Sequence, residues 1–360
     1  MFKNSTLLIT GGSGSWGMEL TQQFLKNHSP KQVRIYSRGE AAQVRMRRLL
    51  HDDPRLRFIV GDVRDLDRLK QACRGVDYVF HLAALKHVPV CEENPYEAVR
   101  TNVIGTQNVI DASIRSGVKK VIDVSSDKAA SPLNLYGTTK SVGEKLFISA
   151  NMLSSETTFI CIRAGNVLGT MGSVVPLFRS QILRSNLLTI TDESMTRFFM
   201  NLDQVVTLVL DACREAVGGE IFVLEMPAMK IGDLAEVMQQ NLGNATTTKK
   251  IIGKRPGEKV HEILVSRDES ERTYVKGKYF VILPMIKIPA VESSYDPSKL
   301  KPVPFEEFSS NNTRILNHAE IKTMLDNEHW LSKKRLPQDD ILPEEILQDP
   351  FKVEGWTKKK

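Results

Sequence analysis

Two short patterns in the sequence carry side chains that could do chemistry. Tyr136 and Lys140 are spaced so that, on a helix, both lie on one face. An ammonium near a phenol favours the phenolate, so the pair suits removal of a proton from a substrate hydroxyl. Just upstream, Ser126-Asp127-Lys128 sets an acid and an amine side by side. If a hydroxyl were oxidised to a ketone, the hydrogen on the neighbouring carbon would become acidic. Lys128 could then remove it while Asp127 protonates a departing hydroxyl one carbon further on, which amounts to internal redox with loss of water. Sequence spacing alone also allows a structural ion pair at a strand end.

These residues need a scaffold that brings them to a cofactor. In the first half, short apolar runs at 6–10, 32–37, 56–63, 77–84, 120–125 and 158–167 read as strands, and 18–26, 41–50 and 96–116 read as helices. The alternation predicts an α/β fold, a Rossmann-type doubly wound parallel sheet, with ligands at the carboxyl ends of its strands. After Gly169 the pattern breaks into shorter pieces, with turns at Gly218-Gly219 and Arg255-Pro256-Gly257. Residues 1–168 therefore read as a dinucleotide-binding domain and 169–330 as a smaller substrate-binding lobe, some of whose segments could return to the first domain. Residues 331–360 read as a basic tail.

The glycine loop Gly11-Gly12-Ser13-Gly14-Ser15-Trp16-Gly17 follows the first strand. Glycines at 11, 14 and 17 allow a tight turn, close approach to a pyrophosphate and close helix packing, while the helix amides attract an anion. Ser13, Ser15 and Trp16 are assigned to the same cofactor site. The second strand runs into Ser37-Arg38-Gly39-Glu40, where an NAD-selective site usually presents an acid to the ribose. A hydroxyl and a guanidinium suit a 2′-phosphate better, so NADP is expected, with NAD second. The alternative is that Arg38 is a solvated turn residue. Asp62 and Val63 end the third strand, where the Asp could accept from an adenine amino group or cap a helix, and Ala83 falls at the end of the fourth.

Composition excludes other classes. The chain has 360 residues and is 41% hydrophobic and 26% charged, which fits a globular enzyme rather than a disordered chain. Its net charge of +6 gathers in Lys333, Lys334, Arg335 and Lys358 to Lys360, a solvated tail rather than a nucleic-acid surface. Cys73, Cys91, Cys161 and Cys213 form no CxxC pair, and His81, His87 and His261 no ligand cluster, so neither metal nor disulfides are expected and a reducing cytoplasm is. No signal peptide or membrane span is apparent.

With the glycine loop ahead of it, the Tyr136/Lys140 pair resembles the extended sugar-nucleotide branch of the short-chain dehydrogenase/reductase superfamily. Longer stretches, among them SSDKAASPLNLYGTTK, RAGNVLGTMGSVVPLF and RPGEKVHE, are similar to soluble UDP-N-acetylglucosamine 4,6-dehydratases that invert C5 and serve bacterial surface sugars. The similarity spans residues 1 to about 265. It implies catalytic roles for Asp127, Lys128, Tyr136 and Lys140. It places Lys86 near cofactor and substrate, and Asn166, Val174, Arg197, Arg255 and Glu258 against the UDP moiety. It further implies a homo-oligomer. Gly39, Ala164 and Met171 depart from the family's usual Asp, Tyr and Arg. The tail after about residue 270 looks more like relatives that make L-fucosamine or N-acetylrhamnosamine precursors. A C5-retaining dehydratase and a UDP-sugar 4-epimerase are the enzymatic rivals, and an NADP-binding regulator is the non-enzymatic one.

Overall fold

Leu7, Leu8 and Ile9 are fully buried, as expected of a central parallel strand covered on both faces. They belong to β1 (Thr6–Thr10) in a computed structural model that describes residues 1–170 and 172–334. The other parallel strands are β2 (Gln32–Ser37), β3 (Leu56–Val60), β4 (Tyr78–His81), β5 (Lys120–Ser126) and β6 (Thr158–Ala164). In space they run β6-β5-β4-β1-β2-β3, the doubly wound order with its switch between β1 and β4. The connecting helices are α1 (Ser15–Asn27), α2 (Glu40–Leu49), α3 (Leu66–Cys73), α4 (Val88–Glu93), α5 (Pro95–Val99), α6 (Gly105–Arg115) and α7 (Leu135–Ala150).

The chain divides into two compact units, and neither is continuous in sequence. The first comprises Met1–Gly165, Leu202–Glu225 and Ile263–Ser309. Two segments expected in the lobe thus belong to the large sheet. Ile221–Leu224 pairs parallel to β6, and the antiparallel pair Thr273–Lys276 and Tyr279–Ile282 extends the same edge. The physical reason is edge protection: β6 is fully buried and needs a partner on its far side.

The second unit comprises Asn166–Asn201, Met226–Glu262 and residues from Ser310 onward. Its strands are short, Asn166–Val167, Thr196–Met200 and Ala228–Lys230 in one sheet, with helix α8 (Val174–Ser185) among its covering elements. Phe178, Leu188, Phe199, Leu234, Met238, Leu325 and Trp330 share its core. Trp330 lies over Gly169, whose φ of +71° and lack of a Cβ leave room for the indole.

Several expected boundaries differ. The apolar run 158–167 is cut in two because Asn166–Val167 leaves β6 for the sheet of the second unit. The helix expected over 96–116 comprises α5, a π-helical segment Arg100–Ile104 and α6. The start of the expected tail is held: buried Arg179 donates to the carbonyls of Ser332 and Lys334. Met171, Arg335 and the lysines at 358–360 lie outside the described residues. Among the described residues no helix is long and apolar enough to cross a membrane.

Candidate active site

In the first unit the glycine loop fits the pyrophosphate of a dinucleotide. Gly11 has φ +67°, and a Cβ there would sit 2.8 Å from the Ala83 amide nitrogen. A Cβ on Gly17 would overlap the Gly12 backbone, so α1 can start against the loop only with glycine at 17. Gly14 is the N-cap and no side chain caps this end, which leaves the first-turn amides facing an anion's position. The helix starts three residues earlier than the apolar periodicity alone implies.

The Asp62 carboxylate, expected to meet adenine, is engaged on both oxygens by Arg64, and Arg64 also contacts Glu97. The N-cap of α3 is Asp65 and not Asp62. The Val63 side chain is buried beneath Gly105, and its carbonyl accepts from Asn108. Lys86 is exposed in the segment after β4, while Arg38, Gly39 and Glu40 are exposed at the entry to α2.

The side chains expected to do the chemistry meet where β5 runs into α7. Asp127 is 1% exposed. Its Oδ1 accepts from Ser126 Oγ at 2.8 Å and from Lys128 Nζ at 3.1 Å, whereas its Oδ2 is buried without a hydrogen-bond partner among the described residues. A buried carboxylate oxygen left over in this way costs stability unless something else satisfies it, so it marks a place for a ligand's hydroxyl. Lys128 retains 24% side-chain exposure and can reach solvent or substrate.

Helix α7 delivers Tyr136 to the same point. Asn134 caps it through the Gly137 amide, and a Cβ on Gly137 would collide with the Lys128 carbonyl, so glycine there lets the helix press against the Asp127-Lys128 turn. The Tyr136 pKa is raised, against the expectation from the nearby ammonium, because burial outweighs the Lys140 charge, a hydrogen bond with Ser126 and the Lys128 charge, which pull it down. Lys140 is paired at 3.1 and 3.2 Å with the two oxygens of Asp123, a fully buried carboxylate on β5. Burial opposes the ammonium, but Asp123 and then Tyr136 outweigh it and raise the Lys140 pKa.

In the second unit Asn166 and Val174 are half-buried, Val174 opening α8. Arg197 is only 6% exposed. Its guanidinium donates to the carbonyls of Thr196, Lys259 and Val260 and lies 3.7 Å from Glu258 and 3.6 Å from Glu262. It therefore clamps the 258–262 segment, a structural duty that the sequence did not suggest. Glu258 in turn accepts from the Arg255 amide.

The family model described as polysaccharide biosynthesis protein matches residues 7–284. The chain belongs to this family. One relative, a Campylobacter jejuni protein named UDP-N-acetylglucosamine 4,6-dehydratase (inverting), is 47% identical over 298 residues, covering 82% of this chain and 87% of its own length. A Rickettsia akari protein named UDP-glucose 4-epimerase is 44% identical over 331 residues, 90% of this chain and 96% of that protein. Among solved structures, Pen from Bacillus thuringiensis has a TM-score of 0.85 at 40% identity, over 92% of this chain and all of that one.

Against this family background the geometry adds residues that sequence reasoning passed over. Ser126 bonds both Asp127 and Tyr136, and its place beside the Asp-Lys pair was the available signal. Asn102 is buried and its amide holds Leu85 N, Leu85 O and Thr139 Oγ1, tying the Lys86 segment to α7. Nothing in the local pattern singled it out. Asp123 sits in an apolar strand, and a lone acid there was itself a signal.

Proposed function

We propose that the chain is a UDP-N-acetylglucosamine 4,6-dehydratase that inverts C5, yielding a UDP-2-acetamido-2,6-dideoxy-L-hexos-4-ulose for surface-sugar synthesis. The observation that carries the reading is Asp127: it is buried, with one oxygen bridging Ser126 and Lys128 and the other without a partner. Tyr136 takes the C4 hydroxyl proton, helped by Lys140. The Lys128 ammonium passes a proton to Asp127, 3.1 Å away, and the neutral amine then removes the C5 proton once C4 is a ketone. Asp127 gives the proton received from Lys128 to the C6 hydroxyl, which leaves as water, and the pair is back in its starting charge state. A proton from solvent, replaced there by the one Tyr136 took at C4, returns to C5 on the opposite face and inverts that centre. A bound nicotinamide dinucleotide supplies the hydride acceptor at C4 and the hydride donor at C6. In this reading the dinucleotide is NADP, bound through Ser37 and Arg38. Asn166, Val174, Arg255 and Glu258 serve the UDP moiety, and Arg197 serves it by shaping the 258–262 segment. The enzyme works in the cytoplasm as a homo-oligomer.

The name of the Rickettsia relative favours a second reading, a UDP-sugar 4-epimerase, which has no use for an acid and a base at 127 and 128. Incubation of the purified protein with UDP-N-acetylglucosamine separates the two by mass. Loss of one water supports dehydration and an isobaric product overturns it. Proton NMR after reaction in deuterated water reads the configuration at C5, and a retained centre would overturn the inverting assignment.

A further inference from the structure

Gln43 is 4% exposed on α2, where an amide has no obvious purpose. Its Nε2 donates to the carbonyls of Ile59 (2.9 Å) and Ser37 (3.1 Å) and to Ser37 Oγ (2.9 Å). Carbonyls only accept, so the nitrogen and not the amide oxygen must face them; its two hydrogens are shared among three acceptors, and since this nitrogen cannot accept, the Ser37 hydroxyl cannot spend its proton on Gln43. On its other side Ser37 Oγ receives the Ser13 hydroxyl at 2.9 Å. A serine oxygen has two lone pairs and one proton. Ser13 donates to it and Gln43 Nε2 cannot accept from it, so the Ser37 proton is left to point away from both partners.

We infer that Gln43 is a positioning residue for cofactor selection, fixing the Ser37 hydroxyl as an obligate donor so that the site takes an acceptor-only 2′-phosphate in preference to a 2′-hydroxyl. This rests on the NADP reading above. Two neighbours point the same way. Arg38 is exposed and donates no hydrogen bond among the described residues, and α2 begins at an N-cap, Gly39, with no side-chain cap. A phosphate can accept from the hydroxyl and pair with the guanidinium. A ribose hydroxyl can also accept from Ser37, but as a neutral acceptor it forms the weaker bond and gives Arg38 no charge to pair with.

The test is calorimetric binding of NADPH and NADH to the wild type, Gln43→Met, Ser37→Ala and the double variant. Methionine keeps length and apolar fit while removing the donor. The expected result is about a ten-fold loss of NADPH affinity in Gln43→Met with NADH affinity unchanged, as for loss of one hydrogen bond to a charged group. The double variant should lose no more preference than Ser37→Ala alone, because the two act through one hydroxyl. Gln43→Glu is a second variant should methionine not fold. Its carboxyl draws the Ser37 proton inward and should weaken NADPH further. A folded Gln43 variant that keeps the wild-type preference, or losses that add in the double variant, would overturn the role of Gln43 while leaving NADP in place. A wild type that binds NADH as tightly as NADPH would overturn the NADP reading and the inference with it.

Discussion

Asp127, Lys128 and Tyr136 are held to the same point by hydrogen bonds of their own, so their substitutions should separate chemistry from folding. Lys128→Ala truncates a partly exposed side chain and should lower turnover about 100-fold or more while cofactor binding survives, as expected for loss of a general base. Single-turnover assays beside cofactor titration check this, and unchanged turnover would remove Lys128 from the mechanism. The Asp123–Lys140 pair makes a pH prediction. Burial alone would lower the lysine pKa, and the carboxylate 3.1 Å away reverses that. In Asp123→Asn the largest influence opposing burial is gone, so Lys140 loses its proton at lower pH. The alkaline limb of the turnover profile should move towards neutrality, with the acid limb little changed. A wild-type alkaline limb in that variant would show that Asp123 does not keep Lys140 charged. The nearness of Asp127 to Lys128 and of Tyr136 to Lys140 was legible in the sequence because fixed spacing turns directly into proximity. Asp123 stood out as an acid in an apolar strand, but its partner did not, and Asn102 carried no local signal, because these contacts form only after β5 and α7, or the Leu85 segment and the π-helix, have packed together.

At the scale of elements, position is set by what glycine leaves out and by buried charge. Gly137 allows α7 to approach the Lys128 carbonyl. Gly137→Ala should push the helix away by a fraction of an ångström or more, and a misplacement of about 1 Å costs on the order of 100-fold in rate. We expect turnover to collapse while far-UV dichroism stays that of the wild type; wild-type turnover would show that the helix start is free to shift. The middle of α7 is fastened by Arg163, whose guanidinium pairs with Glu144 at 2.6 Å and Glu269 at 2.7 Å while Ser125 donates to Glu144. Removing one member strands the others in a dry interior, so Arg163→Met should destabilise the first unit by about 3–5 kcal/mol in urea unfolding. A loss below about 1 kcal/mol would assign the network no structural weight. Strands β1 and β2 were readable to the residue because apolar β-branched runs ended at glycine or polar turns. The π-helical turn and the split at Asn166 were not: a one-residue insertion is absorbed within a long helical stretch, and the switch after Gly165 is decided by pairing with a strand distant in sequence.

Over the whole molecule the sequence conveyed the doubly wound sheet and allowed segments of the lobe to return to it, but not which ones, because pairing of 221–224 with β6, and of 279–282 with 221–224, is a long-range choice among short apolar runs that look alike locally. The same sheet fixes how the protein meets acid. His81 ends β4 fully buried, with Thr10 Oγ1 at 2.7 Å from Nδ1, Thr106 Oγ1 at 3.2 Å from Nε2 and the Phe147 ring stacked against it. Burial, aided by the charge of Lys140, lowers its pKa from 6.5 to about 3. The unfolded chain therefore binds a proton that the folded chain refuses. The stability associated with neutral His81 is complete above pH 6.5 and declines as pH falls towards about 3, at about 1.4 kcal/mol per pH unit for one proton. Glu269, lowered to about 2 where burial is outweighed by Arg163, adds its own loss only below the ordinary carboxylate range. Between pH 6 and 5 the histidine should thus dominate. Its substitution by glutamine keeps a donor and an acceptor for the two threonines and has no proton to gain. Urea unfolding of wild type and His81→Gln at pH 7, 6 and 5 should give a smaller acid-dependent loss in the variant, whatever the offset at pH 7. Parallel losses in the two proteins would place the acid sensitivity elsewhere than at the end of β4.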